Sequence, residues 1–245
     1  MTVFWLITST FLITVALIAL CSGRYPLSIN TVIAILLSSI FPIEDLNLFP
    51  QWTMTEQRVV TTIRLPRILI AALTGAGLSV AGAALQGIFR NPLVGPQIIG
   101  VSSGAALGGA IAIVLFSSLI LTTALAFIGG LLAIVLVYFL GCYGAGTRIL
   151  MLILSGVVIS AFFTALISLL TYFADPNSTL PSIVFWLMGS FATINYHKLF
   201  LATFPILSGI LLLFLLRFRI NVLSLGDESA TALGISVEKT RWLVL

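Results

Sequence analysis

Charge is the first thing this sequence lacks. Of its 245 residues 7% are charged and 60% hydrophobic, where a soluble domain carries roughly a quarter charged residues. That excludes an ordinary water-soluble domain and indicates a membrane protein. Histidine occurs once and cysteine twice, which is neither a metal cage nor a disulfide framework. Cys21 and Cys142 also fall at opposite membrane faces in the topology given below, so they cannot pair. No crossing holds Asp, Glu, Lys, Arg or His in its interior, and proton-driven carriers usually need such a residue to bind and relay the ion. Sodium coupling through backbone carbonyls stays open. A phosphate-binding loop is missing too: Gly234-Ile235-Ser236-Val237-Glu238-Lys239-Thr240 has Glu238 where the second glycine must let backbone donors approach phosphate. No nucleophile–base pair or carboxylate dyad lies at helical spacing within a crossing, so the chain is not read as an enzyme. The net charge of +4 comes from scattered basic residues. It suits helix-end anchoring in membrane lipid and points to no nucleic acid.

What the sequence has is long apolar intervals. A bilayer core takes about 20 apolar residues per helix. Arg90 and Arg148 bracket room for two crossings and a turn. Arg148 to Asp175 and Lys198 to Arg217 each hold one, and Thr2–Leu20 and Ile68–Phe89 add two more. The result is an all-α, polytopic transmembrane helical bundle of about six crossings, read as one transmembrane domain over residues 1–245. The third crossing turns near Ser117 and Ser118, the fourth runs from about Leu119 to Leu140, the fifth from Ile149 to Tyr172 and the sixth from Leu199 to Leu216. Leu17-Ile18-Ala19-Leu20-Cys21 faintly resembles a lipoprotein cleavage site, but no basic residue precedes it and Leu20 is too large beside a cleaved bond, so the first helix is read as retained.

Residues 22–67 form a segment after the first crossing, external in the topology that the resemblance below implies. Its apolar part, Ile29 to Phe41, is too short to span and suits a helix lying at the interface, while Glu44, Asp45 and Glu56 place the rest in water. After Arg64-Leu65-Pro66-Arg67, the second crossing carries Gly75, Ser79, Gly82 and Gln86 on one helical face, a predicted packing seam with Gln86 bonding across it. Asn91-Pro92-Leu93-Val94-Gly95-Pro96 cannot remain a regular helix, and irregular backbone near a membrane is tolerated where protein or a water-filled cavity covers it. Gly100, Gly104 and Gly108 form a second small-residue stripe. Between Asp175 and His197, Pro176, Pro181 and Gly189 break any span, which leaves a short interfacial helix carrying Trp186. Basic residues divide almost evenly between the two sides, so charge does not set the orientation.

Leu225-Gly226-Asp227-Glu228-Ser229-Ala230-Thr231-Ala232-Leu233-Gly234 is a small polar stretch after the sixth crossing. Ser224 followed by Asp227 predicts an N-cap, Asp227 and Glu228 suit the positive helix end, and Gly234 is placed to end the helix. Ser229, Ala230, Thr231 and Ala232 form its predicted exposed face. By itself the pattern fits either a helix that enters a partner's cleft or an ordinary solvated loop helix.

Taken together, Arg64-Leu65-Pro66-Arg67, Gly75 through Gln86, Arg90-Asn91-Pro92-Leu93, Gly100-Val101-Ser102-Ser103-Gly104-Ala105, Phe185-Trp186-Leu187-Met188-Gly189-Ser190 and the Leu225–Gly234 stretch resemble the FecCD family, permease subunits of bacterial ABC importers for iron-siderophore complexes, haem and vitamin B12. The resemblance covers the chain from Gly23 onward. It implies a multi-pass protein of the bacterial cytoplasmic (inner) membrane, with its N-terminus inside. It makes residues 217–241 a cytoplasmic coupling segment, with Leu225, Gly226, Asp227, Glu228, Ala230, Leu233 and Gly234 seated on an ABC ATPase subunit. It implies that Arg64 and Arg67 meet acidic residues of a substrate-binding protein. Asn91, Pro92 and Leu93, with Gly146 and Thr147 in the inner loop between the fourth and fifth crossings, match the gate region. A second permease subunit, identical or related, completes the pathway, and ATP is bound by the ATPase, so the chain itself needs no cofactor. Iron-siderophore is the cargo class expected, passed inward intact; an ion-coupled secondary carrier and a truncated, inactive relic are the alternatives. The family typically has ten crossings, and this sequence stops where a seventh should begin, which predicts a C-terminally truncated permease.

Overall fold

The computed structural model describes residues 2–40, 52–116, 118–143 and 148–245. Among these residues the regular structure is helical and no strand occurs, as expected for an all-α polytopic bundle. In chain order the α-helices are α1 (Thr2–Cys21), α2 (Ile29–Ile40), α3 (Met54–Arg58), α4 (Leu65–Phe89), α5 (Val101–Phe116), α6 (Leu119–Tyr143), α7 (Arg148–Phe173), α8 (Thr179–Met188), α9 (Tyr196–Ser224), α10 (Asp227–Ala232) and α11 (Val237–Val244). Five segments among the described residues are long and apolar enough to cross a membrane: Thr2–Cys21, Met54–Phe89, Leu119–Gly141, Ile149–Phe173 and Tyr196–Ser224. The remaining expected crossing, α5, has 16 residues, a rise of about 24 Å against a hydrocarbon core of about 30 Å. Its chain path begins earlier, at a 3₁₀ turn over Pro96–Ile99. Gly104, Leu107, Gly108, Gly109, Ala110 and Ala112 of α5 are buried by neighbouring protein, the setting in which a short or interrupted segment is tolerated at membrane depth.

Two helix boundaries differ from those expected. The helix of the second crossing does not start at Ile68: it runs unbroken over Met54–Phe89, 36 residues. Thr53 starts it with a capping box, its N–H donating to Glu56 Oε2 (2.7 Å) while the Glu56 N–H donates to Thr53 Oγ1 (3.2 Å). Pro66 does not break the helix, because Val59–Arg64 widens into a π turn in which the Leu65 N–H donates to Val60 O. A wider turn relieves the pressure of a proline ring on the carbonyl four residues back. The helix of the sixth crossing does not stop at Leu216 either. Helix α9 continues through Arg217 and Arg219 to Ser224.

The chain divides into two compact units. The first comprises Met1–Ala76 and Phe191–Ser208. Leu20, Leu27, Val32, Ile35 and Val60 form its core, drawn from α1, α2, the connection between them and the π turn, with α2 at the place of the expected interfacial helix. Tyr196 Oη donates to Thr61 O at 2.6 Å, which fastens the start of α9 to the π turn.

The second unit comprises Gly77–Ser190 and Gly209–Leu245. Helices α5, α6 and α7 pack together there around Leu107, Val137, Leu152, Ile159 and Phe163. The α5–α6 approach depends on the Gly104 and Gly108 stripe: a Cβ on Gly104 would lie 2.8 Å from Ala133 Cβ, and one on Gly108 would lie 2.7 Å from the Leu125 carbonyl carbon. This is the close backbone contact that small residues permit. Short α8 holds the Trp186 indole against Gly109, with its N–H directed at Ala106 O (3.3 Å). A second cluster joins Ala84 and Ile88 of α4, Ile220 and Leu223 of α9, and Ala230 of α10. Trp242 of α11 rests on Tyr138 of α6, ring centroids 4.4 Å apart.

Candidate functional site

Helix α10 is built as a separate knob. Gly226 precedes it with φ 128°, a backbone that side-chain-bearing residues rarely adopt, and no side chain caps the start. Ser224 is therefore not the N-cap; it ends α9 and its hydroxyl donates back to Asn221 O at 2.7 Å. The other end closes as expected at Gly234, φ 77°. The Gly234 N–H donates to Thr231 O (2.9 Å) and the Ile235 N–H to Ala230 O (2.9 Å), the paired bonds of a Schellman stop. Ala230 does not belong to the exposed face. It is 0% exposed and packs inward, whereas Leu225 and Leu233 are 72% and 64% exposed and Glu228, Ser229, Thr231 and Ala232 are exposed as well.

Asp227 turns toward the body of this unit. Arg241 Nη2 donates to both of its carboxylate oxygens, at 2.7 and 2.9 Å. The Arg241 side chain is 5% exposed and that of Asp227 45%. A guanidinium so withdrawn from water needs a carboxylate partner, and Asp227 supplies it. Arg90 Nη2 stands 3.5 Å from the same carboxylate. Sequence reading singled out neither Arg90 nor Arg241 as a site residue; Arg90 is remote from Asp227 in the chain and a turn between α10 and α11 interrupts the helix before Arg241, so only the fold brings them together.

Arg90 ends α4 in the left-handed region, φ 51°, and leads directly into the expected gate loop. The Asn91 N–H donates to Gln86 O (3.3 Å), the Leu93 N–H to Asn91 Oδ1 (2.9 Å), and Gln86 Nε2 to Pro92 O (3.0 Å). Gln86 thus braces this loop rather than bonding across a helix contact. Leu93 is almost wholly exposed while Val94 beside it is buried in the core, so the loop is anchored at one residue and open at the next. Gly146 and Thr147 lie outside the described residues.

In the expected seam of Gly75, Ser79, Gly82 and Gln86, a Cβ added to either glycine would meet no close neighbour among the described residues. Nothing lies within 4 Å of a Cβ placed on Gly75, and only Pro96 Cδ, at 3.8 Å, approaches one on Gly82. In the second unit α4 packs through Ala84, Leu85, Ile88 and Phe89 instead. Gly100, by contrast, sits close to α7: its Cβ would lie 3.0 Å from Ser160 Oγ.

The two arginines expected to face a binding protein are engaged at home. Arg64 is 9% exposed and donates to Leu20 O and Tyr25 O. Leu20 O belongs to the last turn of α1, where carbonyls lack helical partners and a cation is favoured. The exposed guanidinium expected at position 64 is therefore absent, because the π turn directs it inward. Arg67 is half-buried and donates to Ala192 O.

Residues 11–245 match the FecCD transport family. The chain belongs to that family. This FecCD chain is 46% identical over 237 residues to the molybdate import system permease protein MolB of Haemophilus influenzae, covering 96% of this chain and 67% of that one. It is 44% identical over 187 residues to a probable iron chelatin transport system permease protein of Helicobacter pylori, covering 76% and 56%. A solved structure, an inward-facing conformation of a proposed metal-chelate type ABC transporter, superposes with a TM-score of 0.80 at 43% identity, covering 96% of this chain and 69% of that one. The FecCD chain thus spans roughly half to two thirds of the length of the curated relatives it matches. With its apolar helices, membership makes it a multi-pass membrane protein.

Proposed function

We propose that the chain is a membrane-spanning permease subunit of an ABC importer in the bacterial cytoplasmic membrane, moved by a separate ATPase subunit that binds the ATP. The observation that carries this reading is α10: a short helix pinned from behind by Ala230 and Asp227, with Leu225 and Leu233 presented outward beyond the apolar span of α9. Large apolar side chains on a polar, rigidly held helix are what a partner's cleft would cover. A substrate-binding protein would deliver cargo at the outer face, where Arg67 is the better candidate contact now that Arg64 is turned inward. A second permease subunit would close the pathway.

For the cargo, the first reading is an intact metal chelate of the iron-siderophore class, supported by the likeness to a metal-chelate type transporter. Molybdate is the second, favoured by the relative that matches 96% of this chain. Among the described residues no cluster of His, Cys, Asp or Glu could hold a metal ion, which suits a cargo passed inward intact.

The test pairs Leu225→Asp with Leu233→Asp in the chain expressed from its own locus. An ATPase subunit is expected to co-purify with the unaltered protein and to be lost from the double variant. Uptake of radiolabelled ferric siderophore or molybdate is expected to fall with it. Uptake that persists in the variant and collapses with an ionophore would establish an ion-coupled carrier instead.

A further inference from the structure

We infer that Arg90 is a positioning residue that passes movement of α10 to the Asn91–Pro92–Leu93 loop through Asp227, and that Asp227 is an internal strut rather than a contact for the ATPase. This rests on the importer reading above. Asp227 stands in the first turn of α10, yet its carboxylate points away from the exposed face, with both oxygens held by buried Arg241. Glu228 remains as the outward acid of that turn. The Arg90 guanidinium approaches the same carboxylate at 3.5 Å, and its Nη1 lies 3.5 Å from where a Cβ on Gly226 would stand. One carboxylate therefore ties together α11, the start of α10 and the end of α4.

Arg90 also has an unfavourable backbone. Among the described residues it is the non-glycine residue with positive φ, at the position after a helix where glycine sits without steric penalty. The backbone alone would favour glycine there. The reach of the side chain to Asp227 is the reason the geometry offers for an arginine. Beyond Arg90 the loop is braced through Gln86, Asn91 and Pro92 and seated by Val94. Because Gln86 belongs to α4, these bonds join the loop to the helix end, and a pull on Arg90 would shift the end of α4 and exposed Leu93 together. When a docked ATPase shifts α10, Asp227 carries Arg90 with it and the loop follows, a contiguous physical link with two arrangements.

The test uses the complex purified from native membranes into lipid nanodiscs, with Cys21 and Cys142 replaced and a nitroxide label on Leu93→Cys, read by electron paramagnetic resonance with and without a non-hydrolysable ATP analogue. Nucleotide is expected to change the mobility of the label when Arg90 is present. R90G relaxes the backbone and removes the side chain. It is expected to abolish the response while the ATPase still co-purifies and hydrolyses ATP within about twofold of the wild-type rate, and cargo uptake without the label is expected to fall about tenfold or more. R90K, which keeps the charge, is expected to retain the response, and R90Q repeats the measurement if R90G proves too unstable to purify. An unchanged label response in R90G, loss of the ATPase subunit from R90G, or loss of the response in R90K as well would overturn the inference. A wild-type preparation that holds no ATPase would instead count against the importer reading itself.

Discussion

Replacing Arg64 by glutamine removes donors that reach Leu20 O and Tyr25 O from a side chain that is 9% exposed. Carbonyls left unsatisfied away from water cost about 1–3 kcal/mol. R64Q is therefore expected to lower the thermal midpoint of the detergent-solubilised protein while leaving stimulation of ATP hydrolysis by the binding protein unchanged among the molecules that fold. Loss of that stimulation at an unchanged midpoint would restore Arg64 as a docking residue. D227N has the opposite geometry: the altered group is half-exposed and its partner is buried. Breaking a buried pair costs about 3–5 kcal/mol, and the 45% exposure of Asp227 reduces the expectation to roughly 1–3 kcal/mol, again read as a lower midpoint. At this scale the sequence showed Asp227 and Arg64 to be unusual, because charge is rare. It did not show their partners, since backbone carbonyls leave no mark in a residue pattern and Arg241 approaches Asp227 only through the α10–α11 turn.

At the scale of elements, two glycine stripes that look alike in sequence behave differently. Gly108 lies against the backbone of α6, so a leucine there would force α5 and α6 apart, whereas a Cβ added to Gly75 meets nothing within 4 Å. Gly108→Leu is expected to destabilise by about 1–3 kcal/mol or more, seen as aggregation on size-exclusion chromatography, while Gly75→Ala is expected to elute as the wild type does. Spacing identifies a small face but not the helix that meets it. The continuation of the helix through Pro66 was likewise hidden, since proline reads as a stop unless a π turn precedes it. The Gly234 stop and the short α8 were legible, because local backbone chemistry decides both.

For the whole molecule the open quantity is parity. If α5 crosses with the five longer helices, Ser28 and Ser229 stand on opposite sides of the membrane; if α5 does not cross, they share one. In a background without Cys21 and Cys142, a membrane-impermeant thiol reagent is expected to modify Ser28→Cys in right-side-out vesicles and Ser229→Cys only in inverted ones. Modification of both in the same vesicles would remove α5 from the crossings and place α10 outside, beyond the reach of an ATPase. By itself the sequence determined the membrane setting, the helical class, the family resemblance and the existence of a separate α10, because apolar run length, charge scarcity and turn residues act locally. Only the tertiary structure decided that Arg64 faces inward, that Ala230 is covered, and that Arg90, Asp227 and Arg241 meet. Those facts depend on which helix faces come together, and residues far apart in the chain acquire a shared electrostatic and packing environment only when the backbone brings them there.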